Sequence, residues 1–241
     1  MPTNFSGFAR PRQRTSYPTK DNPLLIALTG KLGAGKSTAA TFLATNYEGT
    51  KLSLAGPLKC EVYDAIAGML PKEIYRMSQD GLDALKHTLA LAPKPKLVLP
   101  NDAEKIFWIN EHKSDFRYAL QLWGTEFRRQ QNPNYWIDKT VVKVKELLDA
   151  GQICIVIDDA RFHNEKKRLE LVGFTSIKLL VPDVTQEARV IKRDGKFDKS
   201  SHASETEVDS MKTDFIISNN GYPEDLYRQL ETAVLHILNK V

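Results

Sequence analysis

The stretch "LTGKLGAGKST", residues 28–38, constrains the fold of this chain more than any other. From Gly30 to Ser37 it reads G-x-x-x-x-G-K-S, and the apolar run "LLIALT" stands directly before it. An unbroken apolar run of this length reads as a parallel strand buried on both faces. A glycine loop between such a strand and a helix lets backbone N–H groups turn inward around phosphate oxygens. The chain must therefore begin its ordered part as strand, loop and helix.

Four further runs read as strands: "TKLSLA" at 50–55, "ICIVIDD" at 153–159, "FTSIKLLV" at 174–181 and "DFIISNNG" at 214–221. Helical patterns separate them, at 35–46, from Gly56-Pro57 onward, at 114–131, 133–150, 160–173, 183–196 and 223–239. Pro57 suits a first helical turn and Gly173 a helix end. The tract at 71–109 is helical and loop-like, broken by "APKPK" and "LPND". Strands alternating with helices predict an α/β fold, a five-stranded parallel sheet flanked by helices. We expect residues 1–22 to be a flexible basic arm and 23–241 a single domain. A helical insertion at about 57–150 separates strands two and three, and a small lid is expected at about 185–207.

Bulk properties narrow the class. Hydrophobic residues at 41% and charged residues at 27% are those of a globular protein, and the net charge of +4 suits an anionic ligand. The basic residues are dispersed, so no stable nucleic-acid partner is expected. No apolar run approaches the ~18 residues a membrane helix needs, and the N-terminus has no hydrophobic leader. Cys60 and Cys154 have no C-x-x-C spacing, and a buried reduced thiol at Cys154 fits a cytoplasmic protein. The five histidines show no metal-ligand spacing.

Candidate site residues follow from the phosphate loop. Gly30, Lys31, Gly33, Ala34, Gly35, Lys36, Ser37 and Thr38 form a candidate segment for the phosphates of a nucleotide, ATP or GTP. In it Lys36 reaches the β- and γ-phosphates and the Ser37 hydroxyl helps hold Mg²⁺. Asp158 and Asp159, at the carboxyl end of a strand, supply the acid that manages the metal; spacing leaves open which one, and both also suit helix capping. On a helix at about 100° per residue, Arg117, Gln121, Gly124 and Arg128 form one stripe beside the apolar Phe116, Leu120, Trp123 and Phe127. An interior glycine costs about 1 kcal/mol against alanine. It makes sense where a flat group approaches the backbone, and arginine is a natural bidentate phosphate ligand. The stripe is thus either a ligand face or a solvated basic face. Arg161 follows the aspartates at the same strand end. Arg189, Lys192 and Arg193 precede a polar loop, as lid cations or as an ordinary solvated helix.

"LAGPLK", "RYALQLWGTEFRR", "NPNYWID", "DDARFHNE" and "DFIISNNG" occur in the order and spacing of bacteriophage deoxynucleoside monophosphate kinases. The chain resembles that family from about Leu24 to its C-terminus. The resemblance implies transfer of the ATP γ-phosphoryl to a deoxynucleoside 5′-monophosphate (dNMP), in the host cytoplasm, with a homodimer suggested by related kinases. It implies that Lys59 approaches the acceptor phosphate and Arg117 clamps it. Gln121, Gly124 and Thr125 would line the nucleoside pocket, with Trp136 near base or sugar. Asp159, Arg161 and Glu165 would complete the acceptor site, and Arg128 belongs to the same face. Analogy with other nucleotide kinases makes Arg189 and Arg193, with Lys36 and Arg161, the catalytic cations. A kinase for another small acceptor, such as dephospho-coenzyme A or a sugar acid, shares the loop and strand order. A nucleotide-gated switch is the rival from another class.

Overall fold

A computed structural model describes residues 16–96, 98–195 and 203–239. Strand β1 (Leu24–Thr29) is buried along its whole length, as its unbroken apolar run requires of a central strand. It lies between β3 (Cys154–Ile157) and β4 (Thr175–Leu180). β2 (Thr50–Leu52) and β5 (Phe215–Ser218) form the edges, so the order is β2-β3-β1-β4-β5 and every pairing is parallel. The chain reverses its direction of travel across the sheet between β1 and β3. That switch point opens a crevice at the strands' carboxyl ends, and the glycine loop and Asp158–Asp159 both stand there.

Helices cover both faces. α1 (Lys36–Asn46) and α10 (Pro223–Leu238) pack Leu43, Leu230 and Val234 onto Leu24, Ile26, Leu28, Val156 and Ile177. On the other face, α6 (Tyr135–Asp149) and α7 (His163–Glu170) bring Ile137, Val141, Val144 and Leu169 against Leu25, Ala27, Ile155 and Ile157. β1 sends alternate residues into the two cores, which is the strand's period of two.

The insertion has a core of its own. It is built by α2 (Gly56–Ile66), α3 (Gln79–Leu91), α4 (Asp102–Glu111), α5 (Lys113–Gln121) and a π-helical segment, Leu122–Arg129. Val62, Tyr63, Leu85, Ile109, Phe116, Trp123 and Phe127 fill it. α3 and α4 lie in the tract that gave no clear sequence pattern. Each is started by a side chain: Ser78 Oγ accepts from Gly81 N, and Asn101 Oδ1 from Glu104 N at 2.9 Å. α6 ties the insertion to the sheet, since Trp136 belongs to the insertion core and its neighbour Ile137 to the sheet core.

Three expectations are corrected. The arm at 1–22 is not free throughout. Residues 1–15 lie outside the described residues, but Ser16 Oγ donates to Asn239 Oδ1 at 2.6 Å, Asn22 Nδ2 to Leu238 O at 3.2 Å, and Tyr17 sits against Tyr47. β2 ends at Leu52, because Ser53–Ala55 turn toward Asp159. The helix expected over 114–131 is α-helical only to Gln121 and then widens into the π segment. As expected, Cys154 is a buried free thiol; Cys60 is half-buried, and burial pushes both up to about 12. No helix among the described residues is long and apolar enough to cross a membrane.

One carboxylate joins three parts of the insertion. Glu61 of α2 accepts from Trp123 Nε1 and Arg128 Nε, each at 2.9 Å, from Tyr135 Oη at 2.5 Å, and faces Lys139 Nζ at 3.2 Å. Burial alone would push this carboxyl up. The bonds from Tyr135 and Trp123 and the charge of Arg128 outweigh burial and hold it below the ordinary range. The folded state therefore binds the proton less tightly than the unfolded chain. The resulting stability is fully present above the ordinary carboxylate pKa and is lost as pH falls through the folded value. Glu61→Ala, which strands a buried Arg128, is expected to cost about 3–5 kcal/mol in chemical denaturation at pH 7. Glu61→Gln should remove part of the acid-sensitive limb, so that its stability converges on wild type toward low pH. A constant offset at every pH would refute the assignment.

Candidate active site

The glycine loop holds an open cradle. Gly30 and Gly35 adopt φ of 146° and 93°. A Cβ at Gly30 would stand 2.6 Å from Leu179 O, and one at Gly35 would stand 2.3 Å from Asn219 Nδ2. Neither position admits another residue without displacing backbone or a buried amide. α1 begins at Lys36 with no side-chain cap, which leaves its first-turn N–H groups available to an anion. Lys36 Nζ folds back onto the loop and donates to Gly30 O at 2.5 Å and Lys31 O at 2.8 Å. Ser37 and Thr38 are exposed at the helix start.

Two neighbours brace the loop. Asn219, in the turn after β5, is 6% exposed; its Nδ2 donates to Ala34 O at 2.9 Å and its backbone N to Leu180 O at 2.7 Å. Sequence reasoning gave Asn219 no role, although an Asn-Asn-Gly turn at a strand's carboxyl end was its visible trace. α8 (Asp183–Asp194) packs Gln186 and Val190 against Gly33. Arg189 lies on this helix between those two contacts, and its Nη1 is buried without a hydrogen-bond partner among the described residues. A buried polar donor left unpaired costs about 1–3 kcal/mol, more when charged. A phosphate oxygen would supply the missing acceptor. Arg193 is exposed, and the part of the expected lid at 196–202 lies outside the described residues.

The two aspartates are not equivalent. Asp159 is fully engaged in shaping the β2–α2 loop: Oδ2 accepts from Ser53 Oγ at 2.5 Å and Ala55 N at 3.1 Å, and Oδ1 from Leu54 N at 2.7 Å. Among the described residues Asp158 has only an ion pair, with Lys51 at 3.6 Å. The loop that Asp159 ties delivers α2, with Lys59 half-buried in its first turn.

Glu165 likewise acts on its own chain. It is 3% exposed, accepts from Arg161 N and Phe162 N at 2.9 and 3.1 Å, and is bonded by Arg129 Nη2 at 2.6 Å. Burial pushes its carboxyl up, against the pull of Arg129. Arg129 also lies over the Phe162 ring, 4.3 Å from its centroid. The loop bearing Arg161 is thus held from beneath, while the Arg161 side chain has no hydrogen-bond partner among the described residues.

The stripe at 117–128 divides. Arg117, Gln121 and Thr125 are exposed, and their side chains are unpartnered among the described residues. Gly124 and Arg128 turn inward. A π-helix closes i→i+5 and so takes more residues per turn. Beyond Leu122 the outward positions therefore recur at longer spacing, at 121, 125 and 126, then 130. A Cβ on Gly124 would stand 2.9 Å from Leu58 Cδ2, and Gly124 O accepts from Trp136 Nε1 at 3.1 Å. Leu58, not a flat ligand, is what approaches this glycine. Arg128, 8% exposed, is committed to Glu61 and stacked against Tyr135 at 4.6 Å. Trp136 is 2% exposed and belongs to the core.

No family model matches the chain. A protein of Acanthamoeba polyphaga mimivirus, provisionally named a deoxynucleotide monophosphate kinase, is 26% identical over 217 residues, 88% of this chain and 96% of that protein. Among solved structures, TT1252 from Thermus thermophilus aligns with TM-score 0.44 and 18% identity, over 89% of this chain and 97% of that one. A gluconokinase from Sinorhizobium meliloti 1021 aligns with TM-score 0.45 and 13% identity, over 90% and 94%. Dephospho-CoA kinase from Campylobacter jejuni aligns with TM-score 0.41 and 16% identity, over 88% and 96%.

The packing at Gly124 yields a direct test. Gly124→Ala is expected to destabilise the fold by about 1–3 kcal/mol through overpacking. Leu58→Ala should offset part of that loss, giving a coupling above about 0.5 kcal/mol in a double-mutant cycle of thermal melts. Strict additivity would mean that Leu58 is not the neighbour that demands glycine.

Proposed function

We propose that this chain is an ATP-dependent phosphotransferase whose acceptor is a deoxynucleoside 5′-monophosphate. The observation that carries the first half is the phosphate loop. It has left-handed glycines, an uncapped helix start and Lys36 folded over the cradle, and on the neighbouring α8 a buried Arg189 nitrogen lacks an acceptor among the described residues. The acceptor class is supported by the mimivirus relative and by the outward row of Arg117, Gln121 and Thr125.

In this reading Lys36 and the loop N–H groups bind the β- and γ-phosphates, and Arg189 draws charge from the transferring group. Arg161, Arg117 and Lys59 bind the acceptor phosphate and aim its oxygen at the γ-phosphorus. Asp159 and Glu165 are positioning residues: the first fixes the loop before Lys59, the second the loop of Arg161. Both substrates are polyanions, so the work is neutralisation and alignment, with no covalent intermediate. Of the two aspartates Asp158 is the one with capacity to spare, and with the Ser37 hydroxyl, unpartnered among the described residues, it fits a hard divalent ion. Mg²⁺ held there would neutralise charge on the phosphates.

The test is ADP release with ATP and Mg²⁺ against the four dNMPs, the matching ribonucleotides, dephospho-coenzyme A and gluconate. Turnover dependent on a dNMP is expected. Turnover with a non-nucleotide alone would keep the transferase and overturn the acceptor. Lys36→Ala and Arg117→Ala are expected to lose activity by about a hundredfold or more while remaining folded. Asp158→Asn should lose activity with unchanged melting, and Asp159→Ala should lower melting as well, because three hydrogen bonds go with it.

A further inference from the structure

The last turn of helix α9 (Ala203–Ser210) contacts both the phosphate loop and the start of α7. On the side of the phosphate loop, the Asp209 carboxylate pairs with Lys31 at 3.1 Å, and the Asp209 carbonyl accepts from Lys178 Nζ at 3.1 Å. On the opposite side, Glu207 Oε2 accepts from His163 N at 3.0 Å, and Ser210 Oγ is bonded to His163 Nε2 at 3.1 Å. His163 opens α7 two residues beyond Arg161. Val208, between these attachments, and Met211, just after them, are 3% and 2% exposed, so the helix end is seated in the protein.

Lys178 is the odd residue in this arrangement. It stands on β4, in register with Thr29 just before the phosphate loop, and is 7% exposed. An ammonium at a buried strand position costs several kcal/mol unless it is well partnered. Its one hydrogen bond among the described residues is to α9. A cavity of about 80 Å³ beside these contacts is lined by Gly30, Lys31, Lys178, Val208 and Asp209.

We propose that the end of α9 is a tie-bar that holds the phosphate loop and the Arg161 loop in register, with Lys178 and Asp209 fixing one end and Glu207 the other. All three are positioning residues. The proposal rests on reading those loops as the donor and acceptor sides of a phosphotransferase. Its signature is action at a distance: a change at Lys178 must be felt at His163, which Lys178 does not touch.

The test is amide hydrogen exchange of the full chain, without nucleotide, followed by steady-state kinetics. Lys178→Met is expected to raise exchange at residues 161–165 by about tenfold, the loss expected when a hydrogen bond to a charged group is removed. It should also raise KM for the dNMP more than it lowers kcat. Glu207→Ala should produce the same pattern from the other end. A merely structural role for Lys178 would lower the melting temperature and leave exchange at 161–165 unchanged, and that result overturns the tie-bar. Should Lys178→Met not fold, Asp209→Ala removes the Lys31 pair alone and is judged by the same exchange. If no dNMP is turned over, the proposed acceptor fails while the exchange result still decides the tie-bar.

Discussion

A loop that offers its backbone N–H groups to a ligand cannot also pair them within itself, and the rest of this structure follows from that constraint. Within the cradle at Gly30–Gly35 Ala34 N donates to Lys31 O and the Lys36 ammonium to Gly30 O and Lys31 O, and further supports come from outside the loop. Asn219 grips Ala34 O, α8 backs Gly33, and Leu179 blocks any side chain at Gly30. These supports come from β4, β5 and α8, far along the chain. A central parallel strand buried on both faces is what brings them to one place. Preorganisation of this kind lets a site bind charge without rearranging at the moment of reaction.

The second wall is built by carboxylates acting on backbone. Asp159 takes three donors from Ser53–Ala55, and Glu165 takes two from Arg161 and Phe162. Each thereby holds a loop that borders a cation of the proposed site, Lys59 in one case and Arg161 in the other. Loops fixed by such charge-assisted bonds are stiffer than their sequence suggests, which is what a site needing sub-ångström alignment demands.

The strands, the glycine loop and most helices were legible because their signals are local and periodic. A run such as "LLIALT" has few ways to be buried, and a capped amphipathic stretch few ways to be anything but helix. The misreadings have equally local causes. Assigning 100° per residue through Gln121 and beyond assumed an α-helix, and one switch to i→i+5 bonding moved Gly124 and Arg128 from the surface to the interior. Gly124 was correctly singled out as a place of close approach. The approaching group, Leu58, comes from another helix, which no pattern within 114–131 could identify. Asn219 escaped notice for the same reason: its partner is 185 residues away.

The basic residues show why charge in a sequence is a poor guide to a site until partners are known. Arg128 and Arg129 stand side by side in the chain, yet each answers a carboxylate, the half-buried Glu61 and the buried Glu165. Arg168 is paired with Asp138 on the surface. Arg117, Arg161 and the inner nitrogen of Arg189 have no such partner among the described residues. Paired arginines are neutralised and contribute little field beyond a few ångströms, whereas unpaired ones beside a low-dielectric wall project it into the crevice. The helix that carries Arg189 backs the cradle and Arg161 follows Asp158–Asp159 at the end of β3, so both elements border the switch point. What sets these three arginines apart is therefore the absence of a carboxylate partner among the described residues, and not the modest net charge of +4.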